Sequence, residues 1–206
     1  MKKSLILIVF SLIILLGGCI NSKSDNDKQS AVATTNLSVE VSLNEAISIA
    51  YQNAVNWDKK AQLYRGTSVD NDEGITGGDG KRRYWDILFG IPDTNKIFLV
   101  QIQDAEIKKA IDITSEDDTP IPKNYFIDNS EIKFDTPELL KKAKEITELY
   151  PGDDWAKGYN FRIAKDIDKS VILIDVIGWN KKRDEMKGLQ FNANTGELYK
   201  NIEGSG

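Results

Sequence analysis

Trp85-Asp86-Ile87-Leu88 and, 89 positions later, Ile174-Asp175-Val176-Ile177 carry the same pattern, an aspartate set inside an apolar run. Sixteen residues beyond the two aspartates stand Ile102 and Phe191, and Val100 and Leu189 keep the same offset. Upstream, Trp57 precedes Leu63 by six residues and Trp155 precedes Phe161 by six. Downstream, each stretch reaches a glutamate followed by an aliphatic residue, Glu106-Ile107 and Glu197-Leu198, the second after a turn two residues longer. A constant offset across several segments is the mark of an internal repeat, and repetition has to be settled before fold class.

The repeated segments carry strand chemistry, being rich in Ile, Val, Phe, Tyr and Trp and separated by turn residues. They run over about 61–68, 81–91, 96–103 and 107–113, and again over about 159–165, 171–180, 187–192 and 197–202. A helix precedes each set. Ser42-Leu43-Asn44-Glu45 is a capping box, and Leu43, Ala46, Ile47, Ala50, Tyr51 and Ala54 follow on one face, which predicts a helix over 43–55. Asp135-Thr136-Pro137-Glu138 starts the second, predicted over 137–149 with Leu139, Ala143, Ile146 and Tyr150 as its stripe and Pro151-Gly152 as its stop. The expected fold is therefore α+β: two repeats, 41–113 and 136–206, each a helix packed on an antiparallel sheet of about four strands, joined by a linker over 114–135.

Within 171–180, Ile172, Ile174 and Val176 point one way and can face a helix. Leu173, Asp175, Ile177 and Trp179 point the other, a face too apolar for plain solvent. Packing against the other repeat is the first expectation for it, and contact with a partner through Leu173, Ile177 and Trp179 the second. Trp57, Trp85 and Trp155 read as structural residues.

The N-terminus specifies location. Lys2 and Lys3, an apolar stretch from Leu5 to Leu16 and then Leu16-Gly17-Gly18-Cys19 give the order of a secretory signal peptide, 1–18, too short for a comfortable span of about 30 Å of hydrocarbon. Leu16, Gly17, Gly18 and Cys19 also resemble the lipobox of prokaryotic lipoproteins. The resemblance implies a diacylglycerol on the Cys19 sulfur, cleavage before it, and a protein held by membrane lipid on the extracytoplasmic side. Residues 19–40 are polar and small, and read as a flexible tether.

The ending Leu189-Gln190-Phe191-Asn192-Ala193-Asn194-Thr195-Gly196-Glu197-Leu198, behind a helix and a strand meander, resembles the PepSY domain, with Asn192 where that family commonly has Asp. In the first repeat Gln103-Asp104-Ala105-Glu106-Ile107 lacks the Thr-Gly turn, so the likeness there rests on the internal repeat. The resemblance implies a non-catalytic role, and such domains occur in protease propeptides and envelope proteins, with restraint of peptidases among their proposed functions.

The chain contains no histidine and one cysteine, so Ser-His-Asp and Cys-His constellations and histidine-bearing zinc sites are excluded. Gly74, Gly77, Gly78 and Gly80 lack Walker spacing. Against a calcium loop starting at Asp70, the sixth position is Ile75 and the twelfth Lys81, so 69–80 reads as a solvated hairpin loop. Asp86 and Asp175 form a glycosidase pair only if the fold brings them within about 10 Å. Loss of Lys2 and Lys3 with the signal moves the net charge from −5 to −7, which argues against nucleic acid. What remains is a non-catalytic module without cofactor or metal, binding a protein or peptide. The alternative is a structural or scavenging envelope protein that holds a glycan or small ligand, for which a deep aromatic pocket is the expected sign.

Overall fold

The computed structural model describes residues 38–72 and 74–203. The signal segment, Leu16, Gly17, Gly18 and Cys19, and the tether up to residue 37 lie outside the described residues. The elements run in the order α1 (Leu43–Trp57), β1 (Gln62–Ser68), β2 (Tyr84–Gly90), β3 (Ile97–Gln103), β4 (Glu106–Asp112), two single 3-10 turns, α2 (Thr136–Ile146), β5 (Asn160–Asp166), β6 (Val171–Trp179), β7 (Met186–Asn192) and β8 (Leu198–Glu203). Among the described residues no helix is long and apolar enough to cross a membrane.

Local chemistry fixes both helix starts. Ser42 Oγ accepts from the Glu45 amide at 3.3 Å while the Glu45 carboxylate accepts from the Ser42 amide at 2.7 Å, a reciprocal cap worth about 1 kcal/mol. That amide holds the Glu45 carboxyl below the usual range. Asp135 caps α2 and Pro137 sits in its first turn, where a missing N–H costs nothing. The caps also touch each other across the body: Thr136 Oγ1 accepts from the Leu43 amide at 3.2 Å, and Asp135 accepts from that of Asn44 at the same distance.

All eight strands form one antiparallel sheet in the order β4-β3-β2-β1-β5-β6-β7-β8. The two four-stranded groups join edge to edge, through Gly66↔Ile163 and Thr67↔Arg162 of β1 and β5. This corrects the expectation that the faces of two separate sheets pack on each other. Pairing β1 with β5 satisfies edge backbone groups that two separate sheets would leave open. Gly66 stands at this junction, where a Cβ would meet side-chain atoms of Ile163 and Ile87 at 3.1 Å and of Leu43 at 3.3 Å, so its absence eases the close packing of α1 there. One core results, with Trp85, Ile87, Phe89, Phe161, Ile163, Ile174, Val176 and Phe191 from the sheet meeting Leu43, Ala46, Ala50, Leu139 and Leu140 from the helices.

The segment between the groups docks along the sheet's end opposite Ser68. Ile127 pairs with Leu63, Ile121 with Thr94, and Phe126 and Ile127 are buried. Helix α2 stops at Ile146, three residues before the predicted end, because the sheet captures the chain beyond it. Tyr150 and Trp179 exchange both backbone hydrogen bonds, at 2.9 and 2.8 Å, and the Tyr159 hydroxyl donates to the Leu149 carbonyl at 2.9 Å. Ile146, predicted on the buried stripe, is accordingly exposed.

Candidate interaction surface

Both helices cover the same face of the sheet, so alternation along every strand leaves the other face, among the described residues, without a layer of its own. One row of side chains crosses that face in register: Lys109, Gln101, Asp86 and Thr67 on β4 to β1, then Arg162, Asp175, Gln190 and Lys200 on β5 to β8. Taken outward from the centre, each half runs through aspartate, glutamine and lysine. A bulge falls at the same place in both edge pairings, after Gln101 and after Gln190.

The two aspartates have different surroundings. Asp175 is 2% exposed and accepts from Arg162 Nε at 2.7 Å and Gln190 Nε2 at 2.8 Å. Asp86 is half-buried and accepts from Gln101 Nε2 at 3.0 Å, with Thr67 where Asp175 has its arginine. Three strand spacings separate them, about 14 Å at roughly 4.8 Å each, so the fold does not bring the two carboxylates together. Flanking the polar row, Leu88, Leu99 and Ile177 are half-buried, and Arg65 projects beside Leu88. With seven spacings across and strands about 23 Å long, the face spans roughly 770 Å² in plan, part of it covered over β6, which is the scale of the about 800 Å² that one partner contributes to an ordinary protein interface.

The three residues expected to make the contact lie on this face and are distributed differently from the expectation. Ile177 is half-buried, but Leu173 and Trp179 are each only 6% exposed. The Tyr199 hydroxyl on β8 donates to Asp166 on β5 at 3.2 Å, bridging the strands between, which include the end of β6 that holds Val171 and Leu173. Trp179 is covered by Trp155, whose ring meets it edge-on at 5.2 Å between centroids. The exposed tryptophan is therefore Trp155, at 62%, the reverse of the sequence expectation for these two residues. Trp57 stacks on Phe98 at 5.0 Å and donates to Asp112, and Trp85 is fully buried with its indole N–H on the Val41 and Arg82 carbonyls.

The segment 69–80 is exposed at Asp70, Asn71, Gly74, Ile75, Gly78 and Asp79, as a solvated loop is expected to be, and is also tied to the body beneath it. Arg82, 0% exposed, donates to the carbonyls of Val69, Lys157 and Tyr159 at 3.2, 2.9 and 3.1 Å and lies within 4 Å of Asp70 and Asp72. Asp72 also accepts from Arg83 and Thr76, and Asp70 from the Lys157 amide at 2.7 Å. These carboxylates thus turn inward to internal donors. Arg83 holds the Asp104 carboxyl down at about 2, and Asp104 in turn accepts from the Val39 amide where the chain enters the body. Glu40, partly buried beside Asp79 and Asp72, is raised above the usual carboxylate range.

Among the described residues no group of three or more carboxylates is placed to hold a metal ion. A cleft of about 450 Å³ runs between α1 and the segment 123–131, lined by Tyr51, Gln62, Lys123, Asp128, Glu131 and Lys165. Its walls are mostly polar, with Tyr51 as its exposed ring.

No protein-family profile matches the chain, and no curated protein does. Among solved structures, the crystal structure of "a putative lipoprotein (CD1622) from Clostridium difficile 630" superposes with a TM-score of 0.53 at 12% sequence identity, covering 81% of this chain and 95% of that chain. The likeness is one of fold.

Proposed function

We propose that this chain is an extracytoplasmic lipoprotein, anchored through Cys19, whose uncovered sheet face binds a protein or peptide without catalysis. We read its two halves as copies of one PepSY-like unit. The lipobox-like Leu16-Gly17-Gly18-Cys19 supports the anchor, and the name of the structural neighbour is in keeping with it. The matching aspartate, glutamine and lysine in the two halves of the central row, with matching bulges, support the duplication. A secreted peptidase is the partner class to which the PepSY resemblance points.

One observation carries the binding reading: among the described residues the eight-stranded sheet keeps a face of about protein-interface size free of any helix, with half-buried Leu88 and Leu99 paired on one side of a polar row and half-buried Ile177 on the other. A continuous apolar and polar patch of this kind marks an interaction surface better than a catalytic cleft. The 450 Å³ cleft is mostly polar and exposes one aromatic ring, Tyr51, its other aromatic, Phe126, being buried, so the glycan reading has less to stand on.

The test is site-directed photo-cross-linking of the full lipoprotein in its own envelope, with the probe at Leu88 on the free face or at Tyr51 on α1. The reading expects one protein captured from Leu88, lost with Arg65→Glu and absent from Tyr51. Capture from Tyr51 alone, or turnover of a peptide, glycan or ester by the purified protein, sinks it.

A further inference from the structure

Trp155 and Ile75 are 62% and 57% exposed, the highest values among the large apolar side chains described. They belong to two segments at one end of the sheet, the end where β1 finishes at Ser68 and β5 begins at Asn160. These segments are braced against each other. The Tyr159 amide donates to the Thr76 carbonyl at 3.0 Å, and the Lys157 amide to Asp70 at 2.7 Å. Gly158, at φ 73°, lies so close to the Thr76 carbonyl that no side chain fits there. Ala156 holds φ 49°, a left-handed conformation that costs a non-glycine residue energy, directly beside Trp155. Beneath them the buried Arg82 guanidinium ties Val69, Lys157 and Tyr159 together. The Trp155 indole, resting edge-on against Trp179, thus stands on a braced segment and stays 62% exposed.

The same end receives the chain from its N-terminus. Val41 pairs with Arg82, the Val39 amide donates to Asp104 in the turn between β3 and β4, and Val39 is itself 43% exposed. Ser38 lies nineteen residues after Cys19, and nineteen residues reach at most about 65 Å even when fully extended. An anchor on Cys19 therefore limits the body to within about 65 Å of a lipid surface and raises the effective concentration of whatever surface it presents, so that a weak contact suffices. Indole rings favour the boundary between headgroups and acyl chains, being apolar with one polar edge. Lys157, Lys181, Lys182 and Arg183 stand here with Asp70, Asp79, Asp153, Asp154 and Asp184, a slight excess of carboxylates that gives anionic headgroups no attraction.

We infer that the Trp155–Ile75 end is a lipid-docking surface, which seats the body on the membrane that anchors it and leaves the free sheet face open to the side. The inference rests on the lipoprotein reading of Cys19. Its test uses the full lipidated protein in phosphatidylcholine vesicles carrying brominated acyl chains, which quench tryptophan at the interface. The expected result is loss of on the order of one quarter of the emission, one tryptophan of the four. That loss should fall at least twofold both in Trp155→Ser, which uncovers Trp179 as it removes the docking indole, and in Ile75→Ser, and should gain nothing when phosphatidylglycerol is added. Ile75→Ser changes an exposed position and keeps the test valid should Trp155→Ser fold poorly. Equal quenching of parent and both variants overturns docking, and with a diacylglyceryl mass on Cys19 it leaves the anchor standing. Absence of that mass overturns both. Cross-linking from position 155 to a protein, with no quenching by brominated lipid, overturns the inference in favour of a protein contact.

Discussion

Replacing Arg82 with methionine tests whether the buried guanidinium is what holds three separate segments together. Methionine fills much of the stem's volume but donates nothing. The Val69 and Tyr159 carbonyls lose their side-chain donor, while the Lys157 carbonyl keeps Asn160 at 3.3 Å. Asp70 keeps the Lys157 amide, and Asp72 keeps Arg83 at 3.1 Å and Thr76 at 3.2 Å. Two unsatisfied buried carbonyls cost about 1–3 kcal/mol each. Against this, the Arg82 Nε has no partner, so its removal recovers part of a desolvation cost. The balance is a loss of about 2–5 kcal/mol, near the range for breaking a buried charge pair and a large share of the about 5–15 kcal/mol that holds a domain folded. Urea unfolding of the variant should show a lower midpoint at unchanged slope. Amide exchange should rise first at Tyr159 and Val41, whose hydrogen bonds the arginine organises. A loss below about 1 kcal/mol, or faster exchange spread evenly over the sheet, refutes the account, since a bystander arginine would give the first and general destabilisation the second.

The charges near the chain's point of entry produce two pH effects. Asp104 titrates at about 2 when folded, below the usual carboxylate value near 4, so its pairing with Arg83 stabilises the fold above that value and is lost as pH falls toward 2. Asp104→Asn should flatten the acid limb of the stability profile and leave amide exchange at Val39 insensitive to acid. Glu40 has the opposite sign: burial raises its pKa, so the stability it contributes is present below its unfolded value and is lost as pH rises through the folded one. Glu40→Gln should raise the urea midpoint at neutral pH and change little at pH 4; an equal change at both would refute the assignment.

Local structure was legible in the chain itself. The capping box at Ser42 set the start of α1, because both partners lie within four residues. Alternation in 171–180 assigned the two faces of β6 correctly, since side-chain direction in a strand is dictated by position alone. The constant offset between Asp86 and Asp175 found two residues that the sheet does set opposite glutamines in the same way, Gln101 and Gln190. How those pieces meet was settled in three dimensions. β1 pairs with β5 beneath a close approach of α1 at Gly66, and no local pattern encodes contact across 97 residues, from Gly66 to Ile163. Exposure on the free face was likewise hidden. Trp179 points where its parity says, but the segment around Trp155 folds back over it, and only that return leaves one indole buried and the other in solvent. Arg82 had no signal beyond an Arg-Arg pair, because a buried charge is tolerated only where carbonyls and carboxylates from distant segments converge, and that convergence is a property of the fold.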